Sequence, residues 1–484
     1  MDSKQLATSP QHSATVMASA GTGKTWLLVT RLVRLLVESV PPDSILAITF
    51  TRKAAAEMAT RLSERLYTLS VMDVAERAQA LREMGIEPNE SLLETVTNLY
   101  ENHLFESRQL RVTTFHAFCQ ELLRRFPLEA DVPAGFEVLD GSRLLEEAAW
   151  DALVDEATRS PDSPVAADLE ELFQCFNGHQ GTRTALLRFL DHRSDWWAYT
   201  FGEPQPVDYA YHRLAEQLSV TMEGDPLREG LTATVRAELQ TYAEMLLRHG
   251  TATLTKAAAR IEEALITERS SEDRLSSFDL GLLRKSVVPK PSKALAKSLG
   301  EDGQDRLIAL HQRLSAWLLG IQDQFRRRRT LTLSHAWFRA GTRLLDHYQR
   351  LKIEQRVLDF SDLEWKAYIL LNHADHAQWV QYKLDQRIDH LLIDEFQDTN
   401  PTQWHLIFPL LEELASGEGQ GLRTAFLVGD AKQSIYRFRR AEPALFPAAQ
   451  HWLRQQPHVQ GGRCCRLMSR AFRRLRWPES CLHR

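Results

Sequence analysis

Three features of the 484-residue sequence predict an α/β fold in which a parallel sheet is interrupted by a large, mostly helical insertion domain. Short apolar stretches alternate with helix-periodic ones over residues 1–127, the order of a parallel, doubly wound sheet. From 128 to 350 the β-branched runs vanish and long segments of helical spacing take over. From 351 to 460 the first style returns, and residues 461–484 form an atypical basic tail.

Ser13-Ala14-Thr15-Val16-Met17 is short and rich in small and β-branched residues, as a buried strand is. Trp26 to Val37 has helical spacing of apolar residues, with Arg31 and Arg34 between them. Ile45 to Phe50 is a second strand, introduced by the Pro41-Pro42-Asp43 turn, and Ala54 to Leu66 is the helix after it. Leu110 to Phe115 predicts a third strand and His116 to Phe126 its helix. In the middle segment Ser142 to Ala157 and Leu307 to Leu319 read as helices. Turn-rich breaks fall at Ser160–Pro164, Gly202–Pro206 and Pro289–Ser292. Ser361-Asp362-Leu363-Glu364 has the form of a capping box and predicts a helix through Leu371. Ile388–Ile393 and Thr424–Val428 are two further apolar strands that complete the sheet.

Hydrophobic residues are 43% of the chain and charged residues 25%, an ordinary soluble balance. At a net charge of −5, a polyanion is met by local basic patches rather than by a basic whole. No apolar run is long enough to span a bilayer, and the first residues lack an apolar signal core, so the expected location is cytoplasmic. Cys119, Cys175, Cys464, Cys465 and Cys481 form no CxxC and no Cys/His ligand spacing. That pattern argues against zinc, an iron–sulfur cluster or a disulfide framework.

Ala18-Ser19-Ala20-Gly21-Thr22-Gly23-Lys24-Thr25 lies between the first strand and the first helix. It reads as a P-loop, with Ala18 in place of the usual first glycine. Gly21 and Gly23 allow successive N–H groups to turn inward, and the helix start adds its positive dipole end. In this reading Lys24 reaches the β- and γ-phosphates of a nucleoside triphosphate and Thr25 holds Mg²⁺. The alternative for the loop alone is a glycine-rich turn ahead of an ordinary helix.

Asp389-His390-Leu391-Leu392-Ile393-Asp394-Glu395 is an apolar strand ending in two carboxylates. Asp394 suits Mg²⁺, which favours oxygen ligands and keeps much of its water. Glu395 is placed to orient and deprotonate an attacking water. An acidic helix N-cap after a strand is the alternative. A third segment, Gly429 to Arg440, carries Gln433, a neutral donor able to sense a γ-phosphate. Its Tyr436 and Phe438 stand among arginines, a mixture suited to stacking bases and meeting phosphates of single-stranded nucleic acid. The alternative there is a solvated basic turn with two core aromatics.

Taken together these segments resemble superfamily 1 helicases of the UvrD/Rep type, closest to their RecB and AddA branch. The resemblance rests on Ala18–Thr25, Thr49-Phe50-Thr51 with Lys53–Met58, Thr114–Phe118, Leu358–Leu363, Asp394–Thr399 and Gly429–Arg440, in the family's order. It implies a RecA-like ATPase domain (1A) made of residues 1–127 and 351–460, with a 1B-like helical domain at 128–350. It implies ATP and Mg²⁺ as cofactors, Lys24 and Thr25 as phosphate and metal residues, Asp394 and Glu395 as metal carboxylate and catalytic base, and Gln433 as γ-phosphate sensor. Gln5 matches the glutamine that reads adenine, with Gln11 a weaker candidate. Thr51, Thr114, Phe115 and His116 match segments that touch single-stranded DNA, as do Tyr436, Phe438 and Arg439. Phe438 stands where relatives often carry Trp, and Arg440 where they often carry Gly. Family members move 3′→5′ along single strands and open duplex at junctions. The RecB and AddA branch does so in double-strand break repair, beside a partner helicase–nuclease subunit.

The motor also needs a second RecA-like domain bringing arginines to the phosphates, and no Asn-aromatic-Arg-Ser segment follows Arg440. The tail from Gly461 instead holds seven arginines, one acid and three of the five cysteines, which reads as a frameshifted or truncated end. A short basic tail that binds nucleic acid is the alternative. The expectation is ATP binding with very weak hydrolysis, since loss of an arginine finger costs roughly 10³–10⁵ in turnover. The competing function is a catalytically impaired remnant that binds ATP and single-stranded DNA. Phe325–Arg329 is a cationic run that reads equally as a duplex contact or a solvated helix face. Asp195–Tyr199 reads as core rather than a stacking site.

Overall fold

The computed structural model describes residues 3–18, 23–105, 110–139, 141–372, 376–385, 388–416, 422–435 and 440–456. The chain divides into two compact units, Met1–Ser142 with Lys352–Arg484, and Arg143–Leu351.

The first unit is built on five parallel strands: β1 (Ala14–Met17), β2 (Ile45–Thr49), β3 (Arg111–Thr114), β6 (His390–Ile393) and β7 (Thr424–Gly429). Their order is β1-β7-β6-β2-β3. A separate ribbon pairs β4 (Glu137–Val138) with β5 (Val357–Leu358), also in parallel. Side chains alternate across the five-stranded sheet and split its core in two. Leu46, Ile48, Leu391, Ile393, Ala425 and Leu427 face one core, which the helices Phe115–Arg125, Phe360–Asn372 and Pro401–Ser416 cover. Val16, Ile45, Ala47, Leu392, Phe426 and Val428 face the other, beneath the helices Lys24–Val37 and Arg52–Val71. Burial on both faces is why these strands read as continuous apolar runs rather than as alternation.

Two expectations need correction here. The first section of the unit runs to Ser142, not 127. Ala130, Val132 and Phe136 pack with Phe118 and Phe126 in the first core, and the β4–β5 ribbon joins the outgoing chain to the returning one. The capping box of the Phe360–Asn372 helix is Asp359 with Asp362, not Ser361 with Glu364. Asp359 N donates to Asp362 Oδ2 at 3.1 Å, and Asp362 N donates to Asp359 Oδ1 at 3.1 Å. Lys352, buried, donates to both carboxylates, at 3.0 and 2.5 Å, and so selects this pair.

The strand β6 carries a buried histidine with a pH consequence. Thr424 Oγ1 accepts from Arg31 Nη2 at 2.9 Å and lies 2.8 Å from His390 Nδ1. The hydroxyl has one proton to give, so Nδ1 is the acceptor and the ring is neutral. Burial, and next the nearby Arg31, push the His390 pKa from 6.5 down to about 3. The unfolded chain therefore binds this proton first. The stabilisation is complete above pH 6.5 and is lost as pH falls toward 3, at about 1.4 kcal/mol per pH unit. Urea unfolding at pH 6.5 and pH 5 is expected to show a fall of about 2 kcal/mol from this group. His390→Asn keeps an acceptor for Thr424 but cannot ionise, and its unfolding free energy falls less by that amount.

The second unit, Arg143–Leu351, is helical. The predicted Leu307–Leu319 helix is part of one 55-residue helix, Glu301–Gln355. Arg327 and Arg328 on it donate to the carbonyls of Leu218, Gly224 and Glu223 at 2.7–2.9 Å, and Arg329 pairs with Glu171. Three arginines of the cationic run thus fasten neighbouring chain segments. Trp196 is buried against Phe189 and Phe338, so it is core. Among the described residues no helix is long and apolar enough to cross a membrane.

Candidate functional site

The parallel order brings the C-terminal ends of β1, β7 and β6 side by side, with Met17 opposite Gly429 and Leu427 opposite Ile393. Three remote stretches of sequence therefore meet at one edge. After β1, Ala18 N donates to Gly429 O at 3.2 Å, and Gly23, at φ 89°, starts the Lys24–Val37 helix. That left-handed angle is one glycine takes without strain. Ser19, Ala20, Gly21 and Thr22 lie outside the described residues, as do Tyr436, Phe438 and Arg439.

Lys24 Nζ lies 2.7 Å from Glu395 Oε2 and 3.3 Å from Gln433 Oε1. Each partner is itself held. Glu395 sits at φ 49°, an uncommon angle for a residue with a side chain. Gln397 Nε2 donates to Glu395 Oε2 at 2.7 Å, while Gln397 Oε1 accepts from Asp430 N at 2.8 Å. A Cβ at Gly429 would stand 2.8 Å from that same Oε1, which is why this strand ends in glycine. Gln433 Nε2 donates to Asp430 Oδ2 at 2.6 Å, turning its carbonyl oxygen toward Lys24. Gln397 and Asp430 are additions to the site residues that the sequence suggests. Their signal is the polar side chain just beyond a buried strand end.

Asp394 stands next to this cluster, and burial, then the neighbouring Glu395, push its carboxyl up to about 6. The Glu395 N–H and Lys24 pull the other way. A buried carboxylate short of positive charge, close to the start of a helix bearing a threonine hydroxyl, offers the hard oxygen donors that Mg²⁺ prefers. Beside Thr25 a groove of about 480 Å³ is walled by Trp26, Arg61 and Arg65, and Lys4 Nζ lies 5.9 Å from the Trp26 ring centre. Gln5 belongs to the short helix Ser3–Ala7, and its Nε2 donates to Arg82 O and Glu83 O at 3.2 and 3.4 Å. Gln11 Nε2 donates to Glu38 at 2.8 Å.

The residues expected to meet a strand lie at the ends of β2 and β3. Thr51 and Thr114 are N-caps, accepting from Ala54 N at 3.1 Å and Ala117 N at 3.2 Å. Both hydroxyls therefore serve their helices as well as the surface. Phe115 is a correction: it is buried in the first core, because an apolar ring at the first helical position turns under the sheet. His116 is half-exposed and lines a cavity of about 150 Å³ with Phe50, Arg52, Thr114, Gln120 and Phe360. Arg52, Gln120 and Phe360 are additions to the residues read from sequence. Arg440 has φ 67°, the left-handed angle that glycine adopts most easily.

The chain is similar to proteins named as an ATP-dependent helicase/nuclease subunit, AddA. That of Limosilactobacillus fermentum is 29% identical over 90% of this chain and 33% of its own length. Those of Pediococcus pentosaceus and Desulfitobacterium hafniense are 25% and 27% identical, each over 92% of this chain and 35% and 32% of their own lengths. The chain spans about a third of the length of these relatives. Residues 1–453 match the family model of the UvrD/REP helicase N-terminal domain, and with the carboxylates, lysine and glutamine gathered at one sheet edge, the chain belongs to that family.

Proposed function

We propose that this chain is the RecA-like 1A domain, with its 1B-like helical insertion, of an ATP-dependent DNA helicase of AddA type. It acts in the cytoplasm in double-strand break repair and recombination, moving 3′→5′ on single-stranded DNA and at single-strand/duplex junctions beside a partner helicase–nuclease subunit. The relatives' names support the activity and the partner. The observation that carries the reading is the convergence of Lys24, Glu395 and Gln433 from three separate segments.

In this reading ATP is cradled by Ala18–Thr25, and Gln5 reads its base. Thr25 and Asp394 hold Mg²⁺, which neutralises charge on the phosphates. Lys24 leaves Glu395 for the incoming phosphates. Glu395, freed, takes a proton from water, and Gln397 keeps its carboxylate aimed. Gln433 exchanges its contact with Lys24 for one with the γ-phosphate and carries that state toward Tyr436, Phe438 and Arg439. Thr51, Thr114 and His116 meet the strand.

Single-turnover hydrolysis of ATP, with and without a single-stranded oligonucleotide, tests this. The expected outcome is Mg²⁺-dependent hydrolysis that the oligonucleotide accelerates, with oligonucleotide affinity falling steeply as salt rises. Binding of both ligands without acceleration identifies the impaired remnant instead.

A further inference from the structure

Glu364 is a buried carboxylate that the nucleotide site does not use. It accepts from Gln403 Nε2 at 2.6 Å, from Asn400 Nδ2 at 3.0 Å, and lies 3.0 Å from His116 Nε2. Burial alone would raise its pKa, but His116 and the two amides outweigh that and hold it below the usual carboxylate value. An ionised carboxylate only accepts, so it suits three converging donors. A glutamine there would turn an NH₂ group against at least one of them.

Phe360 lies one turn before Glu364, so both project from one face of the same helix. The Phe360 ring centre is 4.6 Å from that of His116, inclined by 52°. His116 is thus held at two points, across its ring face and at Nε2. The other nitrogen, Nδ1, is the one left for a ligand.

Asn400 and Gln403 are themselves a reciprocal cap of the Pro401–Ser416 helix, with N–H bonds of 3.2 and 2.7 Å to each other's side-chain oxygens. That helix begins directly after Asp394–Thr399. One carboxylate therefore touches the turn after β3 and the foot of the loop that carries Glu395.

We propose that Glu364, with Phe360, is a positioning residue that sets His116 for contact with a nucleic-acid strand and ties that contact to the Glu395 loop. The proposal rests on the reading of His116 as a strand residue. A satisfied core polar group would have no need of a half-exposed ring as its third partner.

The test is a double-mutant cycle in the full chain, read as the affinity for a fluorescent single-stranded oligonucleotide. His116→Ala, Glu364→Gln and Phe360→Leu are each expected to weaken binding about 5- to 10-fold, the range of one lost charge-assisted contact. Adding Glu364→Gln or Phe360→Leu to His116→Ala costs less than a further twofold. Phe360 is half-exposed, so its variant folds even where Glu364→Gln does not. The ratio of oligonucleotide affinities with and without a non-hydrolysable Mg²⁺–ATP analogue departs from one in the wild type and returns to one in Glu364→Gln. Additive losses, or wild-type affinity in both Glu364→Gln and Phe360→Leu beside a weakened His116→Ala, overturn the positioning role and leave the strand reading standing. Wild-type affinity in His116→Ala overturns the strand reading and the proposal together. A ratio of one in the wild type, or one unchanged in Glu364→Gln, overturns the tie to the nucleotide loop.

Discussion

Glu395→Gln lowers single-turnover ATP hydrolysis by roughly 10²–10⁴, the usual contribution of a positioned general base, and does not weaken ATP binding. The second half of this expectation comes from the ion pair with Lys24, at 2.7 Å. Lys24 must abandon Glu395 before it can meet a phosphate, so Glu395 competes with the ligand. A neutral glutamine competes less, and ATP binds as tightly as before or more tightly. Lys24→Ala behaves in the opposite way, because it removes the cation that the phosphates require. Measuring binding and single-turnover rate in both variants separates the two roles. An unchanged rate in Glu395→Gln assigns the base elsewhere. A loss of binding equal to that of Lys24→Ala makes the pair a structural one.

The parts of this site that are legible in sequence share one property: each lies at the end of a fully buried strand. A continuous apolar run such as His390–Ile393 announces itself, and the polar residues just after it can then be read as site residues. The parallel order follows from the alternation of strands and helices. What lies beyond sequence are choices between two chemically equivalent neighbours. Asp359/Asp362 and Ser361/Glu364 both have capping-box spacing. The decision belongs to Lys352, which reaches the first pair from within the core. Phe115 and His116 are adjacent, and only the direction of the helix after β3 decides which is buried. The limits of the 55-residue helix are equally hidden, since its interior has neither proline nor an apolar stripe that stays on one face. The unit boundary at Ser142 depends on a two-residue ribbon, too short to carry a periodicity.

Arg31→Met is expected to destabilise the first unit by about 3–5 kcal/mol, the cost of breaking a buried charged network. In sequence Arg31 and Arg34 look like interruptions of an apolar helix. Both are buried. Arg31 donates to the carbonyls of Ala7, Ser9 and His12 at 3.2, 2.6 and 2.7 Å and to Thr424 Oγ1 at 2.9 Å. Its guanidinium lies 4.8 Å from the Phe426 ring centre. Arg34 donates to Gln5 O and Thr8 Oγ1 at 2.7 and 3.1 Å. The two arginines fasten residues 5–12 to the edge of the sheet at β1, directly ahead of the phosphate loop. Burial, then Arg34, push the Arg31 pKa down to about 9, so the group is still charged at neutral pH. Its charge is met by carbonyl dipoles rather than by a carboxylate. Methionine fills much of the volume and removes the cost of burying charge. It also strands carbonyls that water cannot reach, at about 1–3 kcal/mol for each buried group left unpaired. The second effect exceeds the first because several acceptors lose one donor. Arg31→Lys restores the charge but supplies a single nitrogen in place of a planar fork, and is expected to recover less than half of the loss. Guanidinium unfolding of the three proteins measures this, and a loss below about 1 kcal/mol in Arg31→Met would mean that the N-terminal segment holds its place without the arginine.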